Sequence, residues 1–358
     1  MCSRAYLIVA ALTVSGCGSA TTATDAVGPA DSSSASATEP ATAETDTATS
    51  SAAADDDDSD TTGDTGPDDA SAAPASTSDE PILPVTVTDL VGNEVTVESV
   101  ERIIPLDGTV AEVVFALGLG DNVVATDLSA TYPAEADALP EIGYQRSLTA
   151  ESIAQFAPTV LLATEIAGPE ETIDDLRRLG YPLVIVPNDA TADGPAAKVR
   201  AVADALGVSA RGEALAAELE ATIAANETDA DADAPVVIAL YLRGESTQFV
   251  LGEAAATHWL IEAAGGVDAA DLLGIGDGAP VNAEAILAIE PDIILVPSAG
   301  LDSVGGLEGL MDVGGLGQTP AGKAGAVISH DDQLLLGNGP RTGDLLAELR
   351  TAFEELYP

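Results

Sequence analysis

Residues 148–164 read LTAESIAQFAPTVLLAT, and residues 281–298 read VNAEAILAIEPDIILVPS. Each passes from a small polar residue through Ala and Glu into an apolar-periodic run, stops at a proline, and ends in an unbroken apolar stretch. Thr149 and Asn282 are good helix N-caps, and Glu151 and Glu284 sit where the helix dipole favours an acid. Pro158 and Pro291 forbid continuation of a helix. VLLA and IILV read as strands buried on both faces, as in a parallel sheet covered by helices. The same helix–strand unit, met twice, predicts two halves of one design.

Working outward, the pattern fills in. PVTVTDLVGNEVTV predicts a hairpin around Gly92-Asn93, RIIPLDG a strand, TVAEVVFALGLGD a helix and NVVATDLS a strand. EETIDDLRRLGY reads as an amphipathic helix and PLVIVP as a strand. Residues 194–228 read as helical throughout, with no breaker after Gly212. VVIALYLRG then opens a second series, with a helix near THWLIEAAGG, a strand at AGAVIS and a terminal helix at TGDLLAELRTAFEELY. The fold class is therefore α/β: two similar αβ lobes with mostly parallel sheets, joined by one long helix. Two such lobes leave a cleft between them, outside the carboxyl ends of the strands. The boundaries are 83–205 for the N-terminal lobe, 206–230 for the connecting helix and 231–358 for the C-terminal lobe.

The first residues read as an address. MCSRAYLIVAALTVSGC has Arg4, then an apolar run too short to span a bilayer. Its end, VSGC, resembles a lipobox, which makes 1–16 a lipoprotein signal peptide and Cys17 the lipidated residue. Residues 17–82 are rich in Ser, Thr, Ala, Asp, Gly and Pro and include DDDDSD at 55–60. They bury too little apolar area to offset ordering entropy, and read as a disordered acidic linker. The expected location is the outer face of the cytoplasmic membrane, with the lipid as the only membrane contact.

The 358-residue chain carries 60 acids against 12 bases, a formal net charge of −48. That excludes binding to nucleic acid or anionic lipid by charge. Cys2 and Cys17 are the only cysteines, and His258 and His330 the only histidines. No disulfide and no conventional His/Cys zinc site is expected in the folded part. His258 sits on a helical pattern beside Trp259 and His330 ends a strand; neither reads as a first-choice ligand. No strand–GxGxxG–helix fingerprint, GxSxG elbow or P-loop is present, so no enzyme activity is expected.

Although cations and aromatics are scarce, Tyr-x-Arg occurs twice, as Tyr144/Arg146 in EIGYQRSLTAE and Tyr241/Arg243 in VVIALYLRG. In extended chain, residues i and i+2 point the same way, so each Arg can reach its Tyr.

From about residue 84 onward the chain resembles the substrate-binding lipoproteins of ABC importers, of the helical-backbone class that serves cobalamin, siderophores and haem. GYQRSLTAE, TEIAGPE and GNGPR at 337–341 resemble the haem binders within it. The resemblance implies a rigid connecting helix, little domain closure and haem as the transported ligand. A monomer would deliver it to an ABC permease dimer and its ATPase. It implies Tyr144 and Tyr241 as ligands of the haem iron, with Arg146 and Arg243 supporting them. Phenolate suits a hard ferric iron, and a guanidinium favours the ionised phenol. Relatives that ligate from both lobes often have His at the Tyr144 position, so this chain departs from them. Tyr132 is a weaker ligand candidate and Arg341 a weaker propionate partner. Glu151 and Glu284 are implied as docking residues for the permease. The alternative ligand is a ferric siderophore, for which Arg102, Arg146, Arg243 and Arg341 would supply charge, or cobalamin.

Overall fold

The computed structural model describes residues 80–357. The signal-like segment 1–16, Cys17 and the linker up to residue 79 lie outside the described residues.

The chain enters through a hairpin of β1 (Val85–Thr88) and β2 (Glu94–Val97), paired antiparallel. β3 (Ile103–Pro105), β4 (Val160–Thr164) and β5 (Leu183–Val186) form a parallel sheet in that order. The second sheet is larger. β6 (Val236–Arg243) pairs in parallel with β10 (Ile293–Pro297), which pairs in parallel with β11 (Val327–His330). On its other side β6 pairs antiparallel with β7 (Thr247–Leu251), which pairs with β9 (Gly278–Pro280); the short β8 (Val267–Asp268) also joins β6. The fold is thus a two-lobed α/β arrangement, as the repeated helix–strand unit predicts. The two quoted segments form helices Ala150–Ala154 and Ala283–Ile289, each followed by its buried strand.

Two expectations need correction. NVVATDLS is not a strand: Val123 and Thr126 make only isolated bridges, to Ile103 and Glu141. Residues 194–228 are two helices, Gly194–Ala205 and Ser209–Asn226. Between them Gly207 adopts φ +71°, and a side chain there would meet the Ile82 carbonyl at 2.5 Å. A glycine in left-handed geometry ends a helix, and the chain turns back on itself. The two helices pack closely because Gly212 has no Cβ; one placed there would lie 2.2 Å from that of Ala203.

Period-2 alternation builds the core. In β4, Val160 and Leu162 face one side and Leu161 and Ala163 the other; in β10, Ile293 and Leu295 oppose Ile294 and Val296. The first set of each joins a single apolar cluster. It runs from Val97 through Val199, Val202, Leu219 and Ile223 to Leu346 and Phe353. The lobes therefore share one core through the paired helices. Truncating a fully buried member such as Leu162 to Ala costs about 2–5 kcal/mol.

Polar contacts tie the lobes further. The buried Lys198 ammonium donates to Thr109 Oγ1 (2.9 Å) and to the carbonyls of Gly337 (2.8 Å) and Asn338 (3.1 Å). Burial pushes its pKa down to about 8, against the pull of Asp107, Glu112 and Glu165. The Gln333 amide donates to Gly108 O (2.9 Å) and Glu112 Oε2 (2.8 Å) and accepts from the N–H groups of Thr131 (2.8 Å) and Tyr132 (3.0 Å). Among the described residues no helix is long and apolar enough to cross a membrane.

Candidate functional site

A cavity of about 900 Å³ opens between the lobes. Tyr144 and Arg146 line it from the N-terminal lobe, Tyr241 and Arg243 from the C-terminal lobe, and Asp331–Gly337 contributes from below. The structure thus brings the two Tyr-x-Arg pairs to one space.

The two pairs are held differently. Tyr144 sits on a loop. Gly143 adopts φ +105°, which turns the chain into the cleft at a point where only glycine is unstrained. Backbone bonds pin the loop: Leu128 N–H to Gly143 O (3.0 Å), Gly168 N–H to Gln145 O (2.8 Å) and Ser147 N–H to Tyr144 O (2.8 Å). From beneath, the Asp127 carboxylate accepts from the N–H and the hydroxyl of Ser129. Burial pushes the Asp127 carboxyl up to about 6, with nearby Asp107 adding to the rise and these hydrogen bonds opposing it. Tyr144 is 40% exposed, enough for its ring to meet a ligand.

Tyr241, by contrast, lies within β6, paired opposite Phe249. Arg243 follows two positions later on the same strand, but its guanidinium lies over the Tyr241 ring, 4.4 Å from the centroid. It is also ion-paired to Asp332 and donates to Leu242 O (2.7 Å). Asp332 Oδ2 in turn accepts from Ala299 N–H (3.0 Å). The expected guanidinium-to-phenol hydrogen bond is formed at neither pair; at this one the acid captures the guanidinium and the ring packs beneath it. Arg146 is different: among the described residues it is the one arginine whose guanidinium has no ion pair or hydrogen bond. Two further lining residues, Gln145 and Asn188, have buried side-chain oxygens with no hydrogen-bond partner. Such groups are rare in cores and common where a ligand completes them. Sequence reasoning missed Asp332, Gln145 and Asn188. Only Gln145, between the two named residues of the first pair, carried a signal.

The remaining candidates lie outside this space. Tyr132 does not line the cavity, and the Arg341 guanidinium sits 3.7 Å from its ring centroid. Arg341 makes a bidentate bond to Glu112 (2.8 and 2.9 Å). Arg102 donates to the carbonyls of Phe156 and Ala157 at a helix end. Arg102 and Arg341 therefore do not line the cavity, contrary to the expectation of four cleft arginines. His258 bonds Asp268, and His330 faces Glu348 at 3.5 Å. Glu151 and Glu284 are exposed at their helix starts. Thr149 caps its helix through Ser152 N–H (3.2 Å), and Asn282 caps its own through Ala285 N–H (3.1 Å).

Residues 103–334 match the periplasmic binding protein family, and the chain belongs to it. The chain is similar to the periplasmic heme-binding protein RhuT of Roseiflexus sp. RS-1, at 46% identity and a TM-score of 0.70, over 72% of this chain and 99% of that one. It is similar to the heme-binding protein HmuT, at 38% identity and a TM-score of 0.71, over 80% and 94% of the respective chains. Among curated proteins it matches the vitamin B12-binding protein of Yersinia pestis at 31% identity over 86 residues. That match spans 24% of this chain and 31% of the relative.

Proposed function

We propose that this protein is an extracytoplasmic haem-binding lipoprotein that captures ferric haem through tyrosinate ligation and delivers it to an ABC permease. The observation that carries the reading is one cavity with a tyrosine on each wall, each followed two residues later by an arginine. Similarity to two proteins whose structures are described as heme-binding supports haem as the ligand. Tyr144 is the principal iron ligand. Its neighbour Arg146 is free to donate to the phenolate oxygen, and bound ferric iron favours the ionised phenol. Tyr241 is the second ligand from the opposite lobe. Its phenol is supported by the positive charge over its ring and lacks a donor of its own, because Asp332 holds Arg243. Buried polar groups at Gln145 and Asn188 orient the ligand.

Delivery uses Glu151 and Glu284. They occupy matching positions on the two lobes and are exposed, which suits a partner with two-fold symmetry and basic sockets. Cys17 anchors the chain, and residues 17–82 hold the lobes off the membrane. A cobalamin reading gains little, because among the described residues the aromatic residues lining the cavity are the two tyrosines alone.

The test is a hemin titration followed by absorbance. A high-spin ferric spectrum with a tyrosinate charge-transfer band is expected. It should be lost in the Tyr144→Phe/Tyr241→Phe double variant. Charge reversal at Glu151 and Glu284 together should leave that titration unchanged while abolishing haem-dependent growth of cells that rely on the importer. Hemin binding that survives loss of both phenols rejects the ligation.

A further inference from the structure

A second cluster of ligating side chains lies away from the cleft and is independent of the haem reading. His258 and Glu262 are four apart on helix Ala256–Ala263, so both project from one face. Asp271 comes from the next helix, Ala269–Leu273. One donor atom from each of the three lies within 4.8 Å of the other two. His258 Nε2 and Glu262 Oε2 are 3.5 Å apart. Two ligands held tetrahedrally about 2.1 Å from a zinc ion lie about 3.4 Å from each other.

The imidazole is oriented before any ion arrives. Its Nδ1 is 3.0 Å from Asp268 Oδ2, and the Asp268 side chain is buried. The other oxygen of that carboxylate accepts from Ala270 N–H at 3.0 Å, capping the second helix. Asp268 therefore holds Nδ1, and Nε2 is the nitrogen left for an ion, on the side of Glu262. A buried carboxylate on the far nitrogen of a ligating histidine fixes the tautomer and strengthens the ligand. One imidazole with two carboxylates suits borderline divalent metals such as zinc; magnesium and calcium prefer an all-oxygen shell.

We propose that His258, Glu262 and Asp271 bind a divalent transition-metal ion outside the cleft, with Asp268 as the positioning residue. Three protein ligands leave the fourth tetrahedral position to water. The ion clamps helix Ala256–Ala263 to helix Ala269–Leu273 beside β8.

The test uses the full chain with Cys17→Ser, free of lipid, and zinc or magnesium chloride as probes. Calorimetry should find one zinc site per chain. Micromolar zinc should raise the melting temperature, because an ion that binds only the folded state stabilises it. His258→Ala should abolish both signals. Glu262→Gln and Asp271→Asn, at exposed positions where folding is not at risk, should each weaken zinc about tenfold or more. Asp268→Asn should weaken it about 10- to 100-fold. Hemin titration should be unchanged in Glu262→Gln and Asp271→Asn. Three results overturn the proposal: no zinc uptake by the parent chain, uptake that survives His258→Ala, or an equal melting shift with magnesium. The last two would assign the binding to the chain's general acidity.

Discussion

The two lobes present the same two side chains to the cleft by different means. The N-terminal lobe offers Tyr144 on a loop pinned by backbone hydrogen bonds and leaves Arg146 unpaired. The C-terminal lobe offers Tyr241 on a long central strand, with Arg243 stacked on its ring and tied to Asp332. A repeated sequence motif does not make equivalent sites. The local partner decides which guanidinium can serve a ligand, so the first pair is poised and the second restrained.

Breaking the poised side should cost most. Tyr144→Phe removes the better-supported of the two proposed ligands and should weaken hemin about a hundredfold or more, read by competitive titration. Tyr241→Phe should cost clearly less. Freeing the restrained side should sharpen the contrast. Asp332→Ala releases Arg243, which can then donate to the Tyr241 oxygen. In that background the penalty for Tyr241→Phe should grow about tenfold, the worth of one charge-assisted hydrogen bond. An unchanged penalty would mean that the ion pair does not distinguish the lobes.

The loop side also carries a pH signature. Burial holds the Asp127 carboxyl near 6, whereas unfolding returns it to 3.8. Between those values the folded chain keeps a proton that the unfolded chain has lost. Stability from this group is therefore greatest below about pH 4 and falls as pH rises through about 6, by roughly 3 kcal/mol in all. Asp127→Asn should flatten the dependence of the urea midpoint on pH in that window. An unchanged slope would place the charge elsewhere. The smallest effect tests the likeness of the lobes: Thr149→Ala and Asn282→Ala remove matching caps and should each cost about 1 kcal/mol. Markedly unequal losses would show that the two helix starts are not equivalent.

Much of this architecture was readable beforehand, for a physical reason. Buried strands such as VLLA and IILV need continuous apolar runs, and the caps at Thr149 and Asn282 are local chemistry. The misreadings have physical causes too. NVVATDLS is apolar enough for a strand but finds only single bridges. Strand β7, TQFVL, went unread because it shows one buried position and so carries little alternation. The break at Leu206-Gly207-Val208 did have a signal, a glycine placed as a helix C-cap, which an Ala-rich background obscured. In the site, the Tyr-x-Arg pairs were legible because both partners lie two residues apart. Asp332 and Asn188 were not, because only folding brings them to the cleft. The same holds for the partners that take Arg341 and Arg102 away from it.

The most direct test of the central claim is hemin titration of the parent chain, Tyr144→Phe, Tyr241→Phe and the double variant, followed through the tyrosinate band. The account predicts a full band in the parent and a severe loss in Tyr144→Phe. It predicts a lesser loss in Tyr241→Phe and no band in the double variant. A band of undiminished strength in Tyr144→Phe would contradict it.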